Sequence, residues 1–283
     1  MFFLVAVSLI WAFSFGLIKG HLTTIDPSLV AALRLGLATL VFIPFTRLKP
    51  CPIPTRILLL GIGALQYGVM YTCYTASFAY LHAYQVALFT IFTPIFVTIF
   101  NDLFSVRFHR RFFTMALLAV AGTGVVLYRD FSTAEFHTGF LLLQGANACF
   151  AFGQVAYCKV MRRVRLRDST IFSLLYLGGF AATLPMLSWP GLWQELVRID
   201  AQQWLTLLYL GILASGLCFF MWNFAARTVN AGVLAVSNNL KIPLAIACSA
   251  VFFGEQINLY QLLAGSTIIL MALILNPSSK RTS

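Results

Sequence analysis

Long apolar runs alternate with short polar connections along the whole chain. Ten such runs can be counted, at 3–19, 28–46, 57–79, 83–104, 111–128, 138–158, 170–189, 203–226, 231–253 and 258–275. A helix rises about 1.5 Å per residue, so about 20 residues cross a hydrocarbon core roughly 30 Å thick. Each run is therefore expected to span a bilayer once. Inside several runs the polar residues keep a helical rhythm. Segment 6 carries Gln144, Asn147, Ala151, Gln154 and Cys158, and segment 3 carries Tyr67, Tyr71, Tyr74 and Phe78. Steps of three and four place each set on one helical face. Three amides facing lipid would lack partners, so the segment 6 face is expected to meet protein or water. The fold class predicted is an all-α membrane protein of ten transmembrane helices.

Composition agrees. Of the 283 residues 60% are hydrophobic and 10% charged, against about 25% charged in soluble domains. Met1–Ile18 runs straight into a spanning segment without a charged leader or an Ala-x-Ala site, so no cleavable signal peptide is expected. The net charge of +11 is explained by position. Fourteen of the nineteen Lys and Arg fall in the even-numbered loops and the tail, at Arg47, Lys49, Arg56, Arg107, Arg110, Arg111, Lys159, Arg162, Arg163, Arg165, Arg167, Arg227, Lys280 and Arg281. The opposite loops hold Arg129 and Arg198, while Lys19, Arg34 and Lys241 lie within segments. The positive-inside rule then puts both termini in the cytoplasm of a bacterial-type inner membrane, as a multi-pass protein. The basic surplus is an orientation signal with affinity for the lipid bilayer's anionic headgroups. Nucleic acid is excluded as a partner, because no basic patch is interleaved with exposed aromatics. The six cysteines show no metal-ligand spacing and read as free thiols.

The chain also repeats itself. Gly61-Ile62-Gly63-Ala64 and Gly211-Ile212-Leu213-Ala214 open similar segments, Pro94 matches Pro243, and Phe13-Ser14-Phe15-Gly16 resembles Phe150-Ala151-Phe152-Gly153. Residues 1–130 and 131–283 thus read as two five-helix copies. Five is odd, so the second copy enters the membrane from the other side. Inverted repeats of this kind point to alternating-access transport around a midplane site.

Several stretches resemble one family. Trp11-Ala12-Phe13-Ser14-Phe15-Gly16-Leu17-Ile18-Lys19 resembles the opening motif of the EamA-type branch of the drug/metabolite transporter superfamily. Pro27 with Ala31-Ala32-Leu33-Arg34-Leu35 is similar to its second helix. Pro243 through Phe253-Gly254-Glu255 and Gln261-Leu262-Leu263-Ala264-Gly265 are similar to its ninth and tenth. The resemblance implies a ten-helix carrier with a central cavity that moves small metabolites such as amino acids.

Candidate chemistry centres on Ser237-Asn238-Asn239-Leu240-Lys241-Ile242-Pro243, inside the apolar ninth segment. A lysine there is disfavoured by about 2.5–3.5 kcal/mol even on insertion scales, so it is expected to face a wet cavity or a partner. The bland alternative is an amine bonded to carbonyls freed by Pro243. The substrate-binding set expected is Lys241, Asn147, Tyr71, Tyr74, Asn238, Trp11, Ser14, Gln154, Asn223 and Ser237. Tyr71 and Tyr74 would offer rings to apolar parts and hydroxyls to polar ones. Thr90 and Thr93 read as back-bonding near a proline kink, Lys19 as snorkelling to the interface, and Arg34 as a structural tie to helix-end carbonyls. Glu255 reads as a helix-end or gate contact.

All eight acids lie in loops or at segment ends. A midplane cation without midplane acids selects an anionic or zwitterionic small molecule whose carboxylate meets Lys241. An ammonium withdrawn from water can also give up its proton, so a proton is a candidate coupling ion, exchanged for substrate at Lys241. The expected function is secondary active transport of a carboxylate-bearing metabolite, an amino acid first. The alternative is a passive channel for small polar solutes. An enzyme is not expected, since His21, His82, His109 and His137 are scattered with no catalytic grouping. No cofactor is expected, and no Gly-x4-Gly-Lys-Ser/Thr run is present to bind ATP. Reporter fusions test the orientation. Fusions within the 162–167 loop and after 281 should report cytoplasm, and those near 130–135 and 198–200 the opposite side; a reversed pattern refutes the assignment.

Overall fold

The computed structural model describes residues 2–105, 134–164, 166–188, 190–228 and 231–254; at 2, 105, 231–237 and 239 it describes the backbone alone. Predicted segments 5 and 10, with Glu255, lie outside these residues. Among the described residues every regular element is helical. In chain order they are α1 (Phe3–Leu22), α2 (Pro27–Phe45), α3 (Ile53–Ser77), α4 (Ala83–Phe104), α5 (Ala134–Arg163), α6 (Asp168–Leu187), the short α7 (Leu192–Arg198), α8 (Ala201–Thr228) and α9 (Ala231–Phe253). Seven of these, α1–α6 and α8, are long and apolar enough to cross a membrane. They correspond to predicted segments 1–4, 6, 7 and 8, and α9 is the ninth.

Local sequence explains where helices begin. Asp26 caps α2 by accepting from Ser28 N at 2.8 Å and Leu29 N at 3.3 Å, with Pro27 at the first helical position, where its missing N–H is no loss. Asp200 and Gln203 form a reciprocal capping box at the start of α8. Pro94 sits where α4 passes from a 3-10 turn over Thr90–Phe92 into a second α-helical stretch.

Two helices widen at related places. α3 is π-helical over Ala64–Val69 and α8 over Tyr209–Leu217. A π stretch shifts carbonyls off the helical ladder. In α8 they are taken by other helices: Trp11 Nε1 donates to Ala214 O at 2.9 Å, and the Tyr176 hydroxyl lies 2.9 Å from Ser215 O and 2.6 Å from Gly216 O.

The packing pairs helices from the two halves of the chain. α1 lies along α9, and α4 lies along α5. α2 packs on α8, and α3 packs on α6. α1 also meets α8, α3 also meets α5, and α2 meets α6. Exchanging α1 with α5, α2 with α6, α3 with α8 and α4 with α9 turns this set of contacts into itself. Apolar side chains face outward on most of these helices. Leu40 (64%), Ile57 (65%), Leu103 (70%), Leu141 (68%), Leu205 (69%) and Val251 (74%) are exposed. Lipid is the solvent that such a surface requires.

The α3–α6 contact is backbone against backbone. A Cβ on Gly63 would fall 1.9 Å from the Leu175 carbonyl oxygen, and one on Gly178 would fall 2.0 Å from the Leu60 oxygen. Small residues permit such an approach, which carries much of helix association where lipid removes the hydrophobic drive. Gly63→Ala should therefore destabilise the protein by about 1–3 kcal/mol through overpacking. A thermal unfolding curve in detergent that matches the parent would refute the close contact.

Candidate functional site

A cavity of about 70 Å³ lies between the halves. Its wall comes from Trp11, Ser14 and Phe15 of α1, Arg34 of α2, Met70, Tyr71 and Tyr74 of α3, and Thr90 and Thr93 of α4. Ala146, Asn147 and Phe150 of α5, Phe219 of α8 and Lys241 of α9 complete it. Six of the ten residues singled out from sequence are thereby brought together: Lys241, Asn147, Tyr71, Tyr74, Trp11 and Ser14.

Lys241 is buried and lines the cavity. Nζ donates to Asn238 Oδ1 at 3.0 Å and stands 5.2 Å from the centroid of the Trp11 ring. It does not turn back to the carbonyls that Pro243 frees, because Asn238, one helical turn earlier, offers a side-chain acceptor on the same face. The indole face adds a cation–π contact, within the ~6 Å over which such contacts act. Asn238 stands behind the lysine, with its Nδ2 3.5 Å from the Thr90 carbonyl.

Arg34 also lines the cavity, with partners other than those expected from sequence. It is 3% exposed and ties no helix-end carbonyl. Nε donates to Ser215 Oγ at 3.2 Å and Nη2 to the Tyr71 hydroxyl at 3.0 Å, with the guanidinium carbon 4.1 Å over the Tyr71 ring. Tyr71 and Ser215 share a 2.7 Å hydrogen bond, closing a triangle. Arg34 Nη1 is buried without a partner. The sequence signal for it is its spacing of seven residues from Pro27, two turns into an apolar helix.

The polar wall opposite is built by Asn147. Its Nδ2 donates to Phe89 O at 3.0 Å and lies 3.3 Å from Gln144 Oε1, while its Oδ1 accepts from Thr93 at 3.1 Å. Phe89 O is available because the 3-10 turn that follows, just before Pro94, interrupts the α-helical ladder. Thr93 thus reaches across to α5, where sequence suggested only local back-bonding; Thr90 does back-bond, to Ala87 O at 2.7 Å. Lys19, read as snorkelling, instead donates to Phe78 O at 2.7 Å.

The remaining candidates lie elsewhere. Gln154 accepts from Trp222 Nε1 at 2.9 Å. Asn223 donates to the Tyr67 hydroxyl at 2.8 Å and to Phe219 O at 3.0 Å, and accepts from Gln66 at 3.3 Å. Both belong to a buried network beside the cavity and do not line it. Tyr67 joins that network because the π stretch of α3 passes through it and breaks the regular tyrosine stripe. The Ser237 side chain lies outside the described residues. At the end of the bundle assigned to the cytoplasm, Asp168 accepts from Tyr157 and pairs with Arg227, joining α5, α6 and α8. Among the described residues no carboxylate pairs with Arg34 or Lys241.

Comparison with known proteins agrees with this architecture. The model of the EamA-like transporter family matches residues 1–128 and 137–276. The chain belongs to the EamA-like transporter family. It is a transporter and not an enzyme, and a multi-pass protein of the bacterial inner membrane. It is 37% identical over 288 residues to a probable biotin transporter of Pseudomonas aeruginosa, covering 99% of each chain. It is 35% identical over 275 residues to the biotin transporter of Salmonella typhimurium, covering 96% of this chain and 91% of that one. A probable amino-acid metabolite efflux pump of Salmonella typhimurium is 27% identical over 298 residues, covering 97% and 93%. One crystal structure superimposes with a TM-score of 0.69 at 19% identity, covering 96% of this chain and 95% of that one, which shows a shared fold.

In this EamA-family chain the Lys241 amine depends on Asn238 as its acceptor. Asn238→Leu leaves a buried ammonium unbonded, a loss of about 1–3 kcal/mol or more for a charged donor. The apparent unfolding temperature should fall, and an unchanged value would mean that Lys241 finds its acceptor elsewhere.

Proposed function

We propose that this chain is a secondary carrier for a small carboxylate, with biotin as the leading substrate. The observation that carries the reading is the central cavity with two buried cations on its wall and, among the described residues, no acid to neutralise them. A buried charge without a partner is strongly disfavoured, so the natural counter-charge is the cargo. Biotin joins a carboxylate to an aliphatic chain and a polar ureido ring. The aromatic and aliphatic wall suits the chain, and Asn147, Thr93 and Ser14 suit the ring. Gln154 and Asn223 are at most a second layer around this pocket. The relatives named as biotin transporters are more similar to this chain than the amino-acid metabolite pump, so biotin replaces an amino acid as first candidate.

The carrier works by alternating access between two inverted halves, with both termini in the cytoplasm. The self-mapping helix contacts, the paired π stretches of α3 and α8, and the two-part family match at 1–128 and 137–276 support this. An ammonium gains from a carboxylate held nearby, so a carboxylate in the cavity favours the protonated form of Lys241, and substrate and proton cross together. Uptake should then speed up as the outside is made more acidic.

Proteoliposomes loaded with unlabelled biotin test the carrier reading. Labelled biotin outside should enter faster than into empty vesicles, as exchange demands and as a passive channel would not produce. Lys241→Arg keeps the charge but cannot release its proton. It should lose the acceleration by acid while still exchanging; retained acid-driven uphill uptake would rule out proton coupling at this position.

A further inference from the structure

Arg34 holds more unspent donors than any other group on the cavity wall that the structure describes. Its Nε and Nη2 are used, while Nη1 is buried with no acceptor. Tyr71 and Ser215 carry two hydroxyl hydrogens and share one hydrogen bond between them. Both hydroxyl oxygens already accept from the guanidinium, so the second hydroxyl hydrogen is left over. The triangle therefore presents an unpaired positive charge, an N–H edge and an O–H, and no acceptor of its own to meet them. A guanidinium at mid-bundle in this condition is poorly explained as a structural tie, because a tie would spend its donors.

We infer that Arg34 is the group that holds the substrate's carboxylate, with Nη1 and the spare hydroxyl hydrogen as its two donors. This rests on the reading of the chain as a carboxylate carrier and names the atoms that do the recognising. A carboxylate has two oxygens and takes two such donors in one plane, and Arg is the side chain that matches this geometry. Lys241 has already given one hydrogen to Asn238 and faces the Trp11 ring. It is left for proton exchange and not for holding the anion. The aromatic floor under each cation divides the two roles further. The Tyr71 ring lies 4.1 Å from the guanidinium carbon, so Arg34 is held in place before the substrate arrives.

The test compares acids with their neutral amides, because an amide keeps the shape and loses the charge. Binding of biotin, biotinamide, and short aliphatic monocarboxylates with their amides is measured on the purified protein by calorimetry. The parent should prefer each acid over its amide by at least tenfold, in line with the ~1.5–3 kcal/mol of a hydrogen bond to a charged group. Arg34→Gln should reduce that ratio to below about twofold, even if overall affinity also drops, a change that mere loosening of the fold would not produce. Arg34→Lys should recover part of the preference through charge alone, and Lys241→Gln should keep most of it. The inference is overturned if Arg34→Gln keeps the acid preference, if Lys241→Gln alone abolishes it, or if the parent binds acid and amide equally. If biotin fails to bind while another acid in the panel binds with the same Arg34 dependence, the anchor stands and the biotin assignment falls. If biotin and its amide bind alike, the biotin assignment stands and the anchor falls.

Discussion

Two cations sit inside a membrane bundle with only neutral groups and aromatic faces against them among the described residues, and this constraint organises the centre of the molecule. Arg34 rests on Tyr71 and is held by hydroxyls; Lys241 faces Trp11 and is held by an amide. Neutral dipoles lower the penalty of burial without cancelling the charge. The surroundings must therefore be rigid enough to keep those dipoles aimed.

The rigidity comes from how backbone groups are used. The π stretch of α8 turns carbonyls sideways, and Trp11 and Tyr176 take them. Trp11 is thus anchored to the opposite half of the chain at one end while its ring meets Lys241 at the other. The same stretch supplies Ser215 to Arg34. One local irregularity in α8 consequently positions parts of both cation sites. In α4, the 3-10 turn beside Pro94 releases the Phe89 carbonyl to Asn147, which builds the polar wall. Irregular backbone of this sort is tolerated at membrane depth only where protein or a cavity satisfies it. Here it does so at the site itself.

Packing also shares the site between the two halves of the sequence. The cavity wall draws on α1 to α4 from one half and on α5, α8 and α9 from the other. The main contacts between long helices map onto one another when helices of the first half are exchanged with those of the second. α3 and α6 meet glycine to backbone, which leaves little room for adjustment and ties the two halves closely at that line.

Much of the architecture was legible along the chain. Apolar runs of membrane length, charges sorted to alternate loops and repeated glycine and proline positions follow from the bilayer as solvent, and they act through local composition. Lys241, Asn147, Tyr71 and Trp11, which line the cavity, could be singled out for the same reason: polar atoms in a hydrocarbon environment need an explanation. Tertiary structure alone decided which of those polar atoms are already satisfied. Gln154 and Asn223 found protein partners and left the cavity, whereas Arg34 kept a free edge and joined it. Hydrogen-bond partners more than fifty residues apart in sequence are set by helix packing and by where a helix departs from regular geometry, and neither is written in the periodicity of one segment.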